Sequence, residues 1–209
     1  GVGVFQFMSS QSSIEKPTQT ISKRIAEDIF KTKRQGGKVV VVAGPAVVHT
    51  GADASLAKMI REGYVDSLLT GNALAVHDVE YSLFGTSLGL NLADGTLAFR
   101  GHRNHIAAIN EVFKAGSLEK MVQKGRLKSG IIYDCITHKV PYILAGSIRD
   151  DGPLPGVITD SVNAQLSYRK ILKGVDVVLM ISTMLHSIAV GNLLPSTVKV
   201  IAVDITPSS

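Results

Sequence analysis

The chain has 209 residues, 45% hydrophobic and 19% charged, with 20 glycines, 5% aromatics, no tryptophan and a formal net charge of +5. That length suits one large domain or one and a half small ones, at roughly 100–200 residues per domain. The hydrophobic content excludes a disordered chain, and no apolar run approaches the ~18 residues of a membrane-spanning helix.

Residues 1–19 open with an alternating stretch (Val2, Val4, Phe5, Phe7) and turn Ser-rich, which predicts the end of a preceding domain followed by a linker. From 20 to 34, Ile21, Ile25, Ile29 and Phe30 recur at helical spacing, and Gly36-Gly37 closes the helix. The only dense basic run, 31–38, is the solvated end of that helix. It is too short for a nucleic-acid footprint, so no nucleic acid is expected as a partner.

Next comes a run of four valines, 39–42, ending in Ala43-Gly44-Pro45. A continuous β-branched run stopped by Gly-Pro predicts a strand buried on both faces, as in a parallel sheet. The form returns at 66–69, 141–144, 175–181 and 198–203. Helical patterns occupy 52–62, 73–83, 105–114, 118–123 and 161–172 between them. Strands alternating with helices predict an α/β domain over 20–209, with a doubly wound, mostly parallel, Rossmann-like sheet. The last strand ends in Asp204 with five residues after it, so the domain is expected to be truncated at both ends.

Ligands of such sheets bind beyond the carboxyl ends of the strands. The segments there are GPAVVHTG (44–51), TGNALAVHD (70–78), GSIRDDGPLP (146–155) and STMLHS (182–187), with Asp204 at the last tip. Small residues at each turn let backbone amides approach a ligand, and helix N-termini favour phosphate. Asp204 stands where dinucleotide-binding folds place a ribose-hydroxyl acceptor, or else it caps a following helix. The G-x-G-x-x-G fingerprint is missing: Gly1 and Gly3 supply its first half, and Gln6 stands at the third glycine. A nucleotide site here must be assembled from several loops. His102 and His105 are three apart, and His49, His77 and His186 fall in the candidate loops. No H-E-x-x-H is present, and no metal is assigned. Cys135, the lone cysteine, forms no internal disulfide, reads as a buried inert thiol and suits a cytoplasmic protein.

The loop segments GPAVVHTG, GNALAVHD, LAGSIRDDGPLP and TMLHSIAVGN together resemble the archaeal LOR/SDH conserved-domain family, which includes the archaeal-type ornithine cyclodeaminases. The domain is also similar to the C-terminal part of cyanobacterial arginine-to-proline enzymes. The likeness runs from about Phe7 to Ser209. It implies a tightly bound NAD and conversion of L-ornithine to L-proline with loss of ammonia. Carried over by motif, the cofactor contacts are Asn72, Ala73, Asp151, Thr183, Met184, Leu185 and His186, with Asp204 at the ribose. His77, Asp78, Arg149 and Asp150 are the candidates for proton movement and for gripping the substrate carboxylate. Two other readings stand beside it: a net NAD(P)-dependent oxidoreductase of the lysine/saccharopine pathway, and a non-catalytic NAD-binding domain. The long apolar stretch 83–98 suggests pairing of subunits into a homo-oligomer.

Overall fold

The computed structural model describes residues 15–87, 90–91, 101–148, 150, 152–183 and 189–204, without the side chains of 15–19, 90–91 and 101–102. Five parallel strands form one sheet: β1 (Val39–Ala43), β2 (Ser67–Gly71), β5 (Tyr142–Ala145), β6 (Val177–Ile181) and β7 (Lys199–Val203), ordered β5-β2-β1-β6-β7. A two-stranded antiparallel hairpin, β3 (Thr86–Ser87) with β4 (Leu90–Asn91), stands apart from it. The helices are α1 (Glu15–Arg34), α2 (Ala46–His49), α3 (Asp53–Arg61), α4 (Asn72–Phe84), α5 (Gly101–Ala115), α6 (Leu118–Gln123), α7 (Ile131–Thr137) and α8 (Ser161–Leu172).

Every residue of β1 is fully buried. Successive side chains of a strand point to opposite faces. Val39, Val41 and Ala43 therefore join the larger core with Leu74, Val79, Val112 and Ile131, while Val40 and Val42 join Tyr168 and Leu172 of α8 on the other face. Burying each valine contributes about 1.5–3 kcal/mol. That is the physical content of the doubly wound arrangement predicted from the valine run. Two acids hold the amino end of β1. Asp66 accepts from Val39 N at 2.7 Å and pairs with Lys33 of α1 at 2.7 Å, and Asp176 accepts from Lys38 N at 2.8 Å.

Several boundaries differ from the sequence reading. α1 starts at Glu15 rather than at 20, inside the segment read as linker. Pro17 lies in its first turn, where a missing N–H is tolerated. Residues 46–49, read as loop, make one helical turn launched by Pro45, whose φ of −63° is already helical. α7 adds a helix around Cys135, which is buried, its thiol pushed up chiefly by burial. The strand expected within residues 2–7 lies outside the described residues.

The chain runs outward from β1 to β2 and β5, then returns to the other side of β1 as β6 and β7. The reversal opens the switch point between β1 and β6. There backbone meets backbone: Gly44 N donates to Ile181 O at 3.0 Å, and Ser182 N donates to Val203 O at 2.8 Å. A Cβ on Gly44 would lie 2.1 Å from Ser182 O. Gly44→Ala is therefore expected to destabilise the fold by about 1–3 kcal/mol, the usual range for overpacking. Urea unfolding checks this, and a variant as stable as the wild type would show that the two loops separate freely.

Candidate active site

The carboxyl edge of the sheet is locked by short polar contacts. Thr70 Oγ1 donates to Ala43 O at 2.6 Å, tying β2 to β1, and Tyr168 OH donates to Thr70 O at 3.2 Å from below. α4 starts directly at the end of β2. Its N-cap, Gly71, is extended (φ −115°, ψ 171°) and offers no side-chain cap. The N-cap therefore leaves the first turn of this 13-residue helix without a side-chain cap at the carboxyl end of β2, an arrangement that suits phosphate. Asn72 is buried: its Oδ1 accepts from Leu154 N at 2.9 Å and its Nδ2 donates to Gly152 O at 3.5 Å. It thus braces the loop after β5 against the start of α4. Ala73 beside it is half-buried.

Of the other residues singled out by sequence, Thr183 is half-buried just beyond β6, and Asp204 is exposed at the tip of β7. Asp150 is half-buried and accepts from Ser147 N at 2.7 Å, closing a turn. Arg149, Asp151, Met184, Leu185 and His186 lie outside the described residues. Asn72, Ala73, Thr183 and Asp204 all fall on the carboxyl edge of one sheet.

His77 and Asp78 are not loop residues. Both lie in the second turn of α4, where consecutive side chains point in different directions. Asp78 turns away from the crevice and caps α7. Its Oδ1 accepts from Ile131 N at 2.8 Å and its Oδ2 from Ile132 N at 2.9 Å. It is 1% exposed. Burial pushes its carboxyl up to about 7, against the lowering effect of the two N–H groups. Both oxygens are committed, so the catalytic part considered for Asp78 gives way to a structural one. The neighbouring Gly130 has φ +110°, and a Cβ there would lie 2.7 Å from Asp78 Oδ1, so glycine is required.

His77 faces a different set of groups. Its ring stands edge-on to His49, with centroids 4.5 Å apart, and tilted against His105 at 5.1 Å. Glu80, one turn on along α4, is 0% exposed. Its Oε2 lies 3.4 Å from Nδ1 of both His77 and His105, and its Oε1 accepts from Thr86 Oγ1 at 2.9 Å. Asn104 Nδ2 donates to Thr86 Oγ1 at 3.1 Å, and His49 Nδ1 lies 2.6 Å from Ser87 Oγ. Burial alone would raise the Glu80 carboxyl, but the hydrogen bonds from His105, His77 and Thr86 outweigh it and bring it down to about 2. Burial first, and the charge of His77 second, lower His49 to about 4. The ligand-type atoms of His77, Glu80 and His105 lie within 4.8 Å of one another. Both imidazoles address one oxygen of a buried anion that already accepts from Thr86. The trio is thus a hydrogen-bonded cluster around a carboxylate.

Sequence reasoning found His77 and missed Glu80 and Thr86. It also weighed His105 only as the neighbour of His102. The usable signal was the three-residue spacing of His77 and Glu80, which puts both on one face of a helix.

A parallel sheet reversed between β1 and β6, with an uncapped helix N-terminus at its carboxyl edge, defines a Rossmann-type domain. The profile of the family described as "Arginine dihydrolase ArgZ-like, C-terminal, Rossmann fold" matches residues 23–209, and the chain belongs to that family. The ornithine cyclodeaminase of Methanopyrus kandleri is 60% identical over 206 residues, 99% of this chain and 50% of the relative. That of Methanocaldococcus jannaschii is 56% identical over 213 residues, 100% of this chain and 50% of the relative. The chain spans about half the length of these curated relatives. Among solved structures, AgrE in ternary complex with ornithine and NAD+ is similar with a TM-score of 0.88 at 48% identity, covering 95% of this chain and 29% of that one. A conserved LOR/SDH protein of Methanococcus maripaludis gives a TM-score of 0.86 at 47% identity, covering 97% of this chain and 62% of that one.

Asp78→Asn leaves one N–H of the α7 cap facing an amide N–H₂ in a buried site. It is expected to lower stability by about 1–3 kcal/mol, the cost of an unsatisfied buried donor. Urea unfolding measures this, and unchanged stability would return Asp78 to the list of functional acids.

Proposed function

We propose that this chain is the cofactor-binding part of an NAD-dependent ornithine cyclodeaminase that converts L-ornithine to L-proline and ammonia. The observation that carries the reading is the double use of α4: its uncapped N-terminus lies at the switch-point edge, and its second turn carries a buried His-Glu cluster. The relatives named ornithine cyclodeaminase, at 56–60% identity, support the reaction. The AgrE complex with ornithine and NAD+ supports the pair of ligands.

The residues present suit a dinucleotide. The α4 N-terminus at Asn72 and Ala73 would hold the pyrophosphate, and Asp204 would accept from a ribose hydroxyl. Thr183, Met184, Leu185, His186 and Asp151 would complete the cofactor site from the loops after β6 and β5. NAD, when bound, supplies a hydride acceptor that can also return the hydride, so the reaction is redox-neutral. Arg149 grips the substrate carboxylate, Asp150 shapes its loop, and His77 moves protons. Among the described residues no helix is long and apolar enough to cross a membrane. We read the protein as cytoplasmic, acting on a small amino acid and assembling as a homo-oligomer, which light scattering of the purified protein tests.

Incubation of the intact protein with L-ornithine is expected to give proline and ammonia in equal amounts with no net NADH. Stoichiometric NADH would favour the lysine/saccharopine-type oxidoreductase instead. No product from any amino acid would leave an NAD-binding domain without catalysis. Asp204→Ala is expected to weaken cofactor retention about 10- to 100-fold, from the ~1.5–3 kcal/mol of a charged hydrogen bond. The NAD released on denaturation reads this, and full retention would remove Asp204 from the site.

A further inference from the structure

Ornithine enters as a cation with two ammonium groups, and proline and ammonium leave with the same total charge. No proton is consumed overall, yet two must move. The α-ammonium sheds one before its carbon can give up a hydride to the nicotinamide cofactor, and the δ-ammonium sheds one before its nitrogen can attack. The bond from the δ-nitrogen to Cα then forms, the bond from Cα to the α-nitrogen breaks, and the hydride returns to Cα. At the end one proton goes back to the ring nitrogen of proline and one to the departing ammonia. A site that excludes water needs a place to keep two protons meanwhile.

Resting on the cyclodeaminase reading, we propose that His77 and His105, held on the buried Glu80 carboxylate, form the proton store of the reaction, one imidazole for each substrate amine. Glu80 acts through the two rings and is a positioning residue. Its carboxylate is wholly buried, and among the described residues it meets one hydroxyl, from Thr86, and the two imidazoles. A buried anion favours the protonated form of a ring beside it, and two rings let the cluster pass from one negative charge to one positive charge.

Among the described residues, the groups facing the trio add no competing charge. From α2 comes His49, whose low value of about 4 keeps it neutral. From α5 comes the neutral Asn104, and from β3 come Thr86 and Ser87. On α4 itself, Asp78 is turned to α7. Access runs through His105, whose side chain keeps 16% exposure against 6% for His77 and 0% for Glu80. His77 follows Asn72 by five residues, an axial rise of about 7.5 Å. The cluster thus lies little more than one helical turn from the uncapped start of α4.

The test compares Glu80→Gln with Glu80→Asp in the intact, NAD-loaded protein. Glu80→Gln keeps the shape and removes the charge. It is expected to leave NAD content and KM within threefold of the wild type and to lower kcat by about 10²–10⁴-fold, the span of general acid–base catalysis. The acid limb of its pH–rate profile should move to lower pH, because the buried anion beside the rings is gone. Glu80→Asp restores the charge and should recover part of kcat and the original limb. Imidazole NMR titration reads the same shift without turnover. A Glu80→Gln variant with kcat within threefold and an unmoved titration overturns the proposal while wild-type proline formation keeps the cyclodeaminase reading intact. One equivalent of transition metal on the wild type, with activity lost on chelation, also overturns it. A wild type that makes no proline from ornithine refutes the cyclodeaminase reading and the proton store with it.

Discussion

The whole arrangement depends on burying β1 on both faces. A strand of four valines and an alanine at 0% exposure cannot stand at an edge or face water on one side. It needs a hydrogen-bonded neighbour on each side and a helical layer above and below. β2 and β6 supply the neighbours in parallel register, with Val41 opposite Leu68 on one side and Leu179 on the other. Two neighbours reached by crossovers in opposite directions create the reversal, and the reversal creates the crevice. The site is therefore a geometric consequence of where the most apolar strand has to sit.

The carboxyl edge combines tight backbone contact with polar chemistry. Gly44 brings the β1 and β6 loops into backbone contact, and Ser182 takes a positive φ of 46° in answer. Three described polar side chains at this edge engage the fold itself: Thr70 holds Ala43, Asn72 holds the loop at 152–154, and Asp150 closes its own turn. These contacts hold the described backbone at the carboxyl edge in place. α4 links the sheet edge to the buried cluster. It aims amides outward at its N-terminus and keeps the Glu80 charge dry one turn beyond His77.

Much of the fold was legible in the sequence because its signals are local. The valine run, the returning strand segments and the helices at 118–123 and 161–172 follow from side-chain period and turn residues within a few positions. The segment 44–51 was misjudged because a single helical turn carries too few residues for a period to register. Residues 77 and 78 illustrate the limit for the site. They are adjacent in sequence and looked alike as candidates, yet the 100° step of a helix sends one to a histidine cluster and the other to the cap of α7.

The sequence by itself determined the parallel α/β class, the central strand and the edge where polar residues gather, because burial and periodicity are written in neighbouring residues. Which side chains meet was decided only by tertiary structure. His49, His77, Glu80, Thr86 and His105 come from α2, α4, a short hairpin and α5. Nothing in their spacing states that these elements pack together; the contact exists because each helix must cover the same face of the sheet. The state of Glu80 was likewise fixed by packing, since a carboxylate takes its charge and its partners from the burial around it.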